Sequence, residues 1–156
     1  MMPAAIALGR LCRPGGALVS DLVEAEVKTA LEWLQIDRTV ERRYAATLIL
    51  RELGKNAQTL IYGFVPLIFD EIWTALRDEK VLVRQTAAEV LCACFQIIRE
   101  RDQLMRQTWQ KRIYEEAIQG IRMNTNESVH GSLLTFRELL EQGWFPRSNS
   151  LRHRLT

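Results

Sequence analysis

The chain has 156 residues, 47% of them apolar and 26% charged, which is the size and balance of one ordinary globular domain and excludes collagen-like, low-complexity and wholly disordered chains. Its 21 basic and 19 acidic residues leave a net charge of +2, so bulk charge offers no argument for nucleic acid or an anionic membrane as partner. No uncharged apolar run approaches the roughly 20 residues of a membrane-spanning helix, and three cysteines without a convincing secretory signal read as a reduced, intracellular protein and not as a disulfide framework.

Residues 1–20 contain no acid, two arginines (Arg10 and Arg13) and the breaker Pro14-Gly15-Gly16. The apolar stretch 4–8 is shorter than a signal-peptide core of about 7–15 residues, and the Ser-rich character of a transit peptide is missing. This part is expected to be a poorly ordered N-terminal segment. From residue 21 the period becomes helical: Leu22, Val23, Val27, Ala30, Leu31 and Leu34 recur at three-and-four spacing, with Ser20 or Asp21 as the N-cap. A second helix follows over roughly 39–53, with Val40, Tyr44, Ala45, Leu48 and Leu50 or Leu53 as its stripe and Gly54 as its C-cap. A third spans roughly 57–76 and is apolar around much of its circumference, and Pro66 inside it predicts a kink or a split. The next helices are expected over 81–99, 104–121 and 127–140, the last with Leu133, Leu134, Phe136, Leu139 and Leu140 on its apolar face. Residues 143–156, with Arg147, Arg152 and Arg154, read as a polar basic tail.

Superposing the sequence on itself exposes a repeat. Asp37, Val40, Arg43, Ala46 and Leu50 return as Asp78, Val81, Arg84, Ala87 and Leu91 at a constant offset of 41 residues, within the period of about 40–47 residues of HEAT and armadillo repeats. Pro66 in a first helix, Asp78 in the turn and Val83-Arg84 entering the second helix also match the HEAT pattern, and His130 takes about the place of Arg84 in a third pair. The fold expected is all-α: a solenoid of about three HEAT-like antiparallel helix pairs over 21–54, 57–99 and 104–142. Each pair leaves one apolar face that only a stacked neighbour can cover. In this arrangement the Asp caps the second helix, and the basic residue one turn in reaches that Asp or its neighbour in the next repeat.

The chemistry-bearing residues form no constellation. Cys92 and Cys94 point about 200° apart on a helix and cannot share a metal, and they read as core thiols; Cys12 lies alone in the N-terminal segment. His130 and His153 are the two histidines, and neither has a Cys or Glu at ligand spacing. An enzyme built on His130 or Cys94 lacks the paired acid, base or nucleophile it would need. Phosphate-binding glycine loops and kinase signatures are absent from the sequence. No catalytic, cofactor-binding or metal site is expected, and the partner-binding residues stay unassigned. Basic clusters at Arg42-Arg43, Arg99 with Arg101 and Arg106, and Lys111-Arg112 are interleaved with acids and read as solvated helix faces, not as a phosphate-binding stripe. Trp33, Trp73, Trp109 and Trp144 read as packing residues.

Longer strings narrow the repeat class. The run Glu26-Val27-Lys28-Thr29-Ala30-Leu31-Glu32-Trp33-Leu34, then Arg42-Arg43-Tyr44-Ala45-Ala46 and Leu50-Arg51-Glu52-Leu53, then Phe69-Asp70-Glu71-Ile72-Trp73 with Ala75, Leu91-Cys92-Ala93-Cys94 and Val129-His130-Gly131-Ser132-Leu133-Leu134 with Glu138-Leu139, resembles the N-terminal HEAT region of the target of rapamycin (TOR) Ser/Thr protein kinases. The resemblance covers about residues 24–142. It implies a fragment of a much larger kinase that governs growth: a non-catalytic scaffold on which Raptor-like or Rictor-like subunits assemble, in the cytoplasm or at an endomembrane, vacuolar or lysosomal surface. The family's ATP-binding and catalytic residues have no counterpart here. The alternative expectation is a free-standing adaptor of the importin or condensin type. Uncapped solenoid ends predict self-association.

Overall fold

Residues 1–36 and 39–144 are described by the structure, a computed structural model, and nearly all of them are helical. The elements are α1 (Met2–Leu11), α2 (Ala17–Ile36), α3 (Val40–Asn56), α4 (Gln58–Ile61), a 3-10 turn at Tyr62–Phe64, α5 (Val65–Leu76), α6 (Val81–Arg101), α7 (Arg106–Arg122) and α8 (Asn126–Glu141). They form an all-α solenoid of HEAT-like antiparallel pairs: α2 with α3, α4–α5 with α6, and α7 with α8. The second helices stack in the order α3, α6, α8, so α6 is covered on several sides and buries twelve of its residues, from Val83 to Ile98.

The apolar stripe of α2 is buried through Val23, Val27, Ala30, Leu31 and Leu34, whereas Leu22 lies 38% exposed. Pro66 splits its segment: it sits in the first turn of α5, behind the 3-10 turn, where its missing N–H breaks no helical bond. Two segments, Gln58–Leu76 and Val81–Arg101, are long and apolar enough to cross a membrane. Their apolar residues are the core of the solenoid, with 44% and 67% of the respective stretches buried.

Three expectations are corrected. Residues 1–20 hold an ordered helix, α1, which packs on α3 with Ala5 and Gly9 buried and is followed by a buried Cys12. Helix α2 begins at Ala17, ahead of Ser20 and Asp21. Gly54 is no C-cap: α3 continues to Asn56, and Gly54 lies inside it at the crossing with α6, where a Cβ would come within 3.0 Å of the Ala93 Cβ. A crossing glycine and a terminal glycine look alike in one sequence, because both lack a side chain and only the neighbour differs.

The boundary at 142/143 also moves. Gly143 adopts φ of +65° and turns the chain so that Trp144 is fully buried. Its ring centroid lies 4.5 Å from that of Phe95, with the Arg106 guanidinium 5.6 Å above it. Asp37 of the repeat, His153 and the arginines at 147, 152 and 154 lie outside the described residues.

Candidate interaction surface

Polar groups tie each layer to the next. Arg43 on α3 donates through Nε to Asp78 Oδ2 at 2.5 Å, and Asp78 Oδ1 accepts from the Lys80 backbone N–H at 2.8 Å ahead of α6. The side chains of this pair are 14% and 3% exposed. Arg43 thus reaches the Asp of the next repeat, as the offset of 41 residues anticipates. Arg84 donates to the carbonyls of Asp78 and Glu79, and through Nε to His130 Nδ1 at 2.8 Å. His130 is therefore the partner of Arg84 across a layer junction. Replacing Asp78 with asparagine keeps the contact to Lys80 but removes the charge facing Arg43. The expected cost is about 2 kcal/mol in denaturant unfolding, and an Arg43→Met partner variant in a double-mutant cycle should show coupling between the two sites.

The hydrogen bond fixes the state of His130. An arginine can only donate, so Nδ1 is unprotonated. Burial first, and then the positive charges of Arg84 and Arg137, hold the imidazole pKa below its ordinary value. The unfolded chain takes up this proton near pH 6.5, and the folded chain does so only at lower pH. The contribution is therefore complete above about pH 6.5 and is lost as pH falls from there toward the folded pKa. Thermal melts at pH 7.5 and 5.5 should show a larger drop in the native chain than in a His130→Gln variant, whose amide oxygen accepts the same bond without titrating.

The cysteines are shielded. Burial raises the thiol pKa of Cys94 to about 12 and of Cys92 to about 11, the latter also facing Glu138, so neither is a nucleophile at neutral pH. Cys12 is raised too, by burial and then by Glu26. Among the described residues no group of three His, Cys, Asp or Glu side chains could hold a metal ion.

The basic clusters are engaged internally. Arg112 pairs with Asp70, Arg101 donates to Thr59 Oγ1 at 2.8 Å, and Arg106 to the Gly143 carbonyl at 3.0 Å. Each of the four tryptophans has an arginine over its ring: Arg42 on Trp33, Arg77 on Trp73, Arg112 on Trp109 and Arg106 on Trp144. These rings are packing elements whose exposed faces are covered by cations.

Among the described residues, one face of α8 is left uncovered. In α3 the side facing the next layer carries Thr47, Arg51 and Gly54: Arg51 pairs with Glu89 at 2.8 Å, and Gly54 meets Ala93. The corresponding side of α6 carries Ala88, Cys92 and Phe95, with Cys92 against Gln142 and Phe95 against Trp144. On α8 the same side presents Leu133, Arg137 and Leu140. Ala88 and Phe95 are fully buried, whereas Leu133 and Leu140 are 56% and 61% exposed. The sequence places both leucines on the apolar face of this helix, and a stripe shows that a face is apolar but not what covers it.

No protein-family model matches the chain. It is similar to the Serine/threonine-protein kinase TOR2 of Saccharomyces cerevisiae, 43% identical over 148 residues that make up 90% of this chain and 6% of that protein. It is 46% identical over 134 residues to the Serine/threonine-protein kinase TOR of Arabidopsis thaliana, covering 85% of this chain and 5% of the relative. With the Serine/threonine-protein kinase TOR of Oryza sativa subsp. japonica the identity is 43% over 166 residues, or 99% of this chain and 7% of the relative. The chain thus spans only a small part of the length of the curated relatives it matches.

Proposed function

Because the chain belongs to the target of rapamycin family of Ser/Thr protein kinases, of which it represents one segment, we propose that it is a non-catalytic protein–protein interaction scaffold from the N-terminal solenoid of such a kinase. In this reading it acts in TOR signalling by helping to assemble TOR complexes. Its place is the cytoplasm or, within a complex, an endomembrane surface. The partners are protein subunits of the Raptor-like or Rictor-like kind, and the kinase chemistry resides elsewhere in the family's long chains.

The observation that supports this reading is the identity of 43% and 46% with two TOR kinases over 90% and 85% of the chain. The surface proposed for contact is the apolar face of α8, whose leucines occupy positions that in α3 and α6 seat the next layer and are covered by no described residue. An exposed apolar face in register with two buried ones is a surface made to be covered. The test is a Leu133→Glu/Leu140→Glu double variant, co-precipitated with Raptor-like and Rictor-like subunits against the native sequence. Both residues are more than half exposed, so the melting temperature should hold while recovery of the subunit falls at least tenfold. Equal recovery from both chains would defeat the reading, as would a transport or chromatin protein binding in place of those subunits.

A further inference from the structure

The turns that lead from one helix pair to the next lie side by side along one edge of the solenoid, and arginines tie them together. Arg13, after α1, donates through Nε to Asn56 Oδ1 at the end of α3. Arg101, at the end of α6, donates to Thr59 Oγ1 of α4, and Arg106, at the start of α7, to the carbonyls of Gln142 and Gly143 after α8. Arg99 donates to Gln142 Oε1. Every one of these acceptors is uncharged. Arg43, Arg51, Arg77, Arg112 and Arg137, by contrast, sit on carboxylates. The edge arginines form no ion pair with a described residue, so their charge stays uncompensated, and each spends only part of a guanidinium's donors. The acids of this edge are Asp21, Glu100, Asp102 and Glu141, and Asp102 already accepts from the Tyr62 hydroxyl and the Met105 N–H. Arg10 and Lys55 add to the positive side.

Apolar side chains cross the same edge in repeat register. Leu22, Gly63 and Leu104 follow one another at the 41-residue offset. Leu104 is 94% exposed, Leu18, one turn before Leu22, is 86% exposed, and a Cβ on Gly63 would meet nothing within 4 Å. An open glycine between exposed leucines makes a shallow trough across the layers, with Tyr62 held beside it by Asp102. We infer that this edge binds an extended acidic segment of a protein partner, which lays apolar side chains on Leu22 and Leu104 and sets carboxylates on Arg99 and Arg101. Helices packed about 8–10 Å apart put the two leucines up to about 20 Å from each other, the reach of about six extended residues. Charge assigns the carboxylates, since guanidiniums already fixed by neutral oxygens present a preorganised fork that a carboxylate matches. Shape assigns a chain, since a flat bilayer would rest on the leucine rims and leave Gly63 uncovered. Residues 145–156, outside the described ones, carry Arg147, Arg152 and Arg154 and no acid, so charge sets them aside as the occupant.

The probe is a fluorescein-labelled, amidated peptide of about ten residues, built from aspartate, glutamate and serine with two leucines about six residues apart. Anisotropy reports its affinity while the methyl resonances of Leu18, Leu22, Leu104 and Met105 are followed in the chain. The result expected is saturable binding that moves these methyls and leaves those of Leu133 and Leu140 in place. Leu104→Ser should weaken it about tenfold, the loss of one leucine's apolar contact. The double variant Arg99→Gln/Arg101→Gln keeps a donor for each neutral acceptor but removes the charge, and should also weaken binding by about tenfold. All three residues are exposed, so the melting temperature should hold. Binding that survives both variants overturns the inference, as does binding no tighter than that of a peptide with serine in place of both leucines. So does co-sedimentation of the chain with vesicles of phosphatidylcholine and phosphatidylserine that Leu104→Ser abolishes, because a lipid surface would then be the occupant. The edge includes neither Leu133 nor Leu140 of α8, so failure of either test leaves the other standing.

Discussion

Replacing Gly131 with alanine is expected to cost about 3 kcal/mol or more, the upper range for overpacking a closed contact. Gly131 lies in α8, directly against the C-terminal end of α5, and a Cβ there would run into the Leu76 carbonyl. Side chains can turn away from an added methyl, but a carbonyl at the end of a packed helix moves only with the helix. The substitution therefore pushes α8 off α5 and disturbs the α6 contact as well. For a chain of this length each kcal/mol is worth roughly 2–4 °C, so the midpoint should fall by about 10 °C. Gly63→Ala is the control, since a Cβ there meets nothing within 4 Å and should change stability by no more than about 0.5 kcal/mol. Gly120 is an intermediate case. Its added Cβ would meet the Ser132 hydroxyl, which a rotamer change or a Ser132→Ala partner can relieve. Similar midpoints for Gly131→Ala and Gly63→Ala would contradict the close approach of α8 to α5.

Ending the chain at Gln142, or replacing Trp144 with alanine, should destabilise the fold by about 3–5 kcal/mol, the usual cost of removing a large buried aromatic. Trp144 stands beyond the last helix, yet it is fully buried, packed on Phe95 and covered by Arg106. Without it, Phe95 and the end of α6 face water. Trp144→Phe separates area from polarity. The indole Nε1 is buried and has no hydrogen-bond partner among the described residues, and a buried unmet donor costs about 1–3 kcal/mol. Phenylalanine gives up some packing but also removes that donor, so it should cost less than half of what alanine costs. Urea unfolding of the three chains, with unchanged m-values, is the measurement. A Trp144→Ala protein as stable as the native one would place the ring outside the core.

Both predictions concern features that a sequence holds without displaying. The helices themselves were legible, because a three-and-four spacing of apolar residues is a property of one segment and its solvent. The repeat was legible for the same reason: Asp78, Arg43 and Arg84 recur at a fixed offset, and the pair Arg43–Asp78 forms where that offset places it. The long strings that resemble TOR kinases were also sequence facts, and the relatives bear them out. Helix α1 was not legible. Its ten residues are too few to hold a helix alone, and its order comes from α3, which the local pattern does not contain.

The candidate surface divides along the same line. That Leu133 and Leu140 belong to an apolar face was readable, but their exposure was not. Gly54 and Gly131 were visible as glycines, but their meaning depends on Ala93 and on the Leu76 carbonyl, each 39 residues or more away along the chain. An all-helical repeat, its kinship with the TOR kinases and the lack of kinase signatures can be read along the chain, because periodicity and identity are carried by neighbours in it. Which glycines are crossings, that His130 accepts from Arg84, that Trp144 closes the core and which faces no described residue covers emerge only in three dimensions. Each of those depends on a partner supplied by a different layer, and burial and close approach exist only once the layers have stacked.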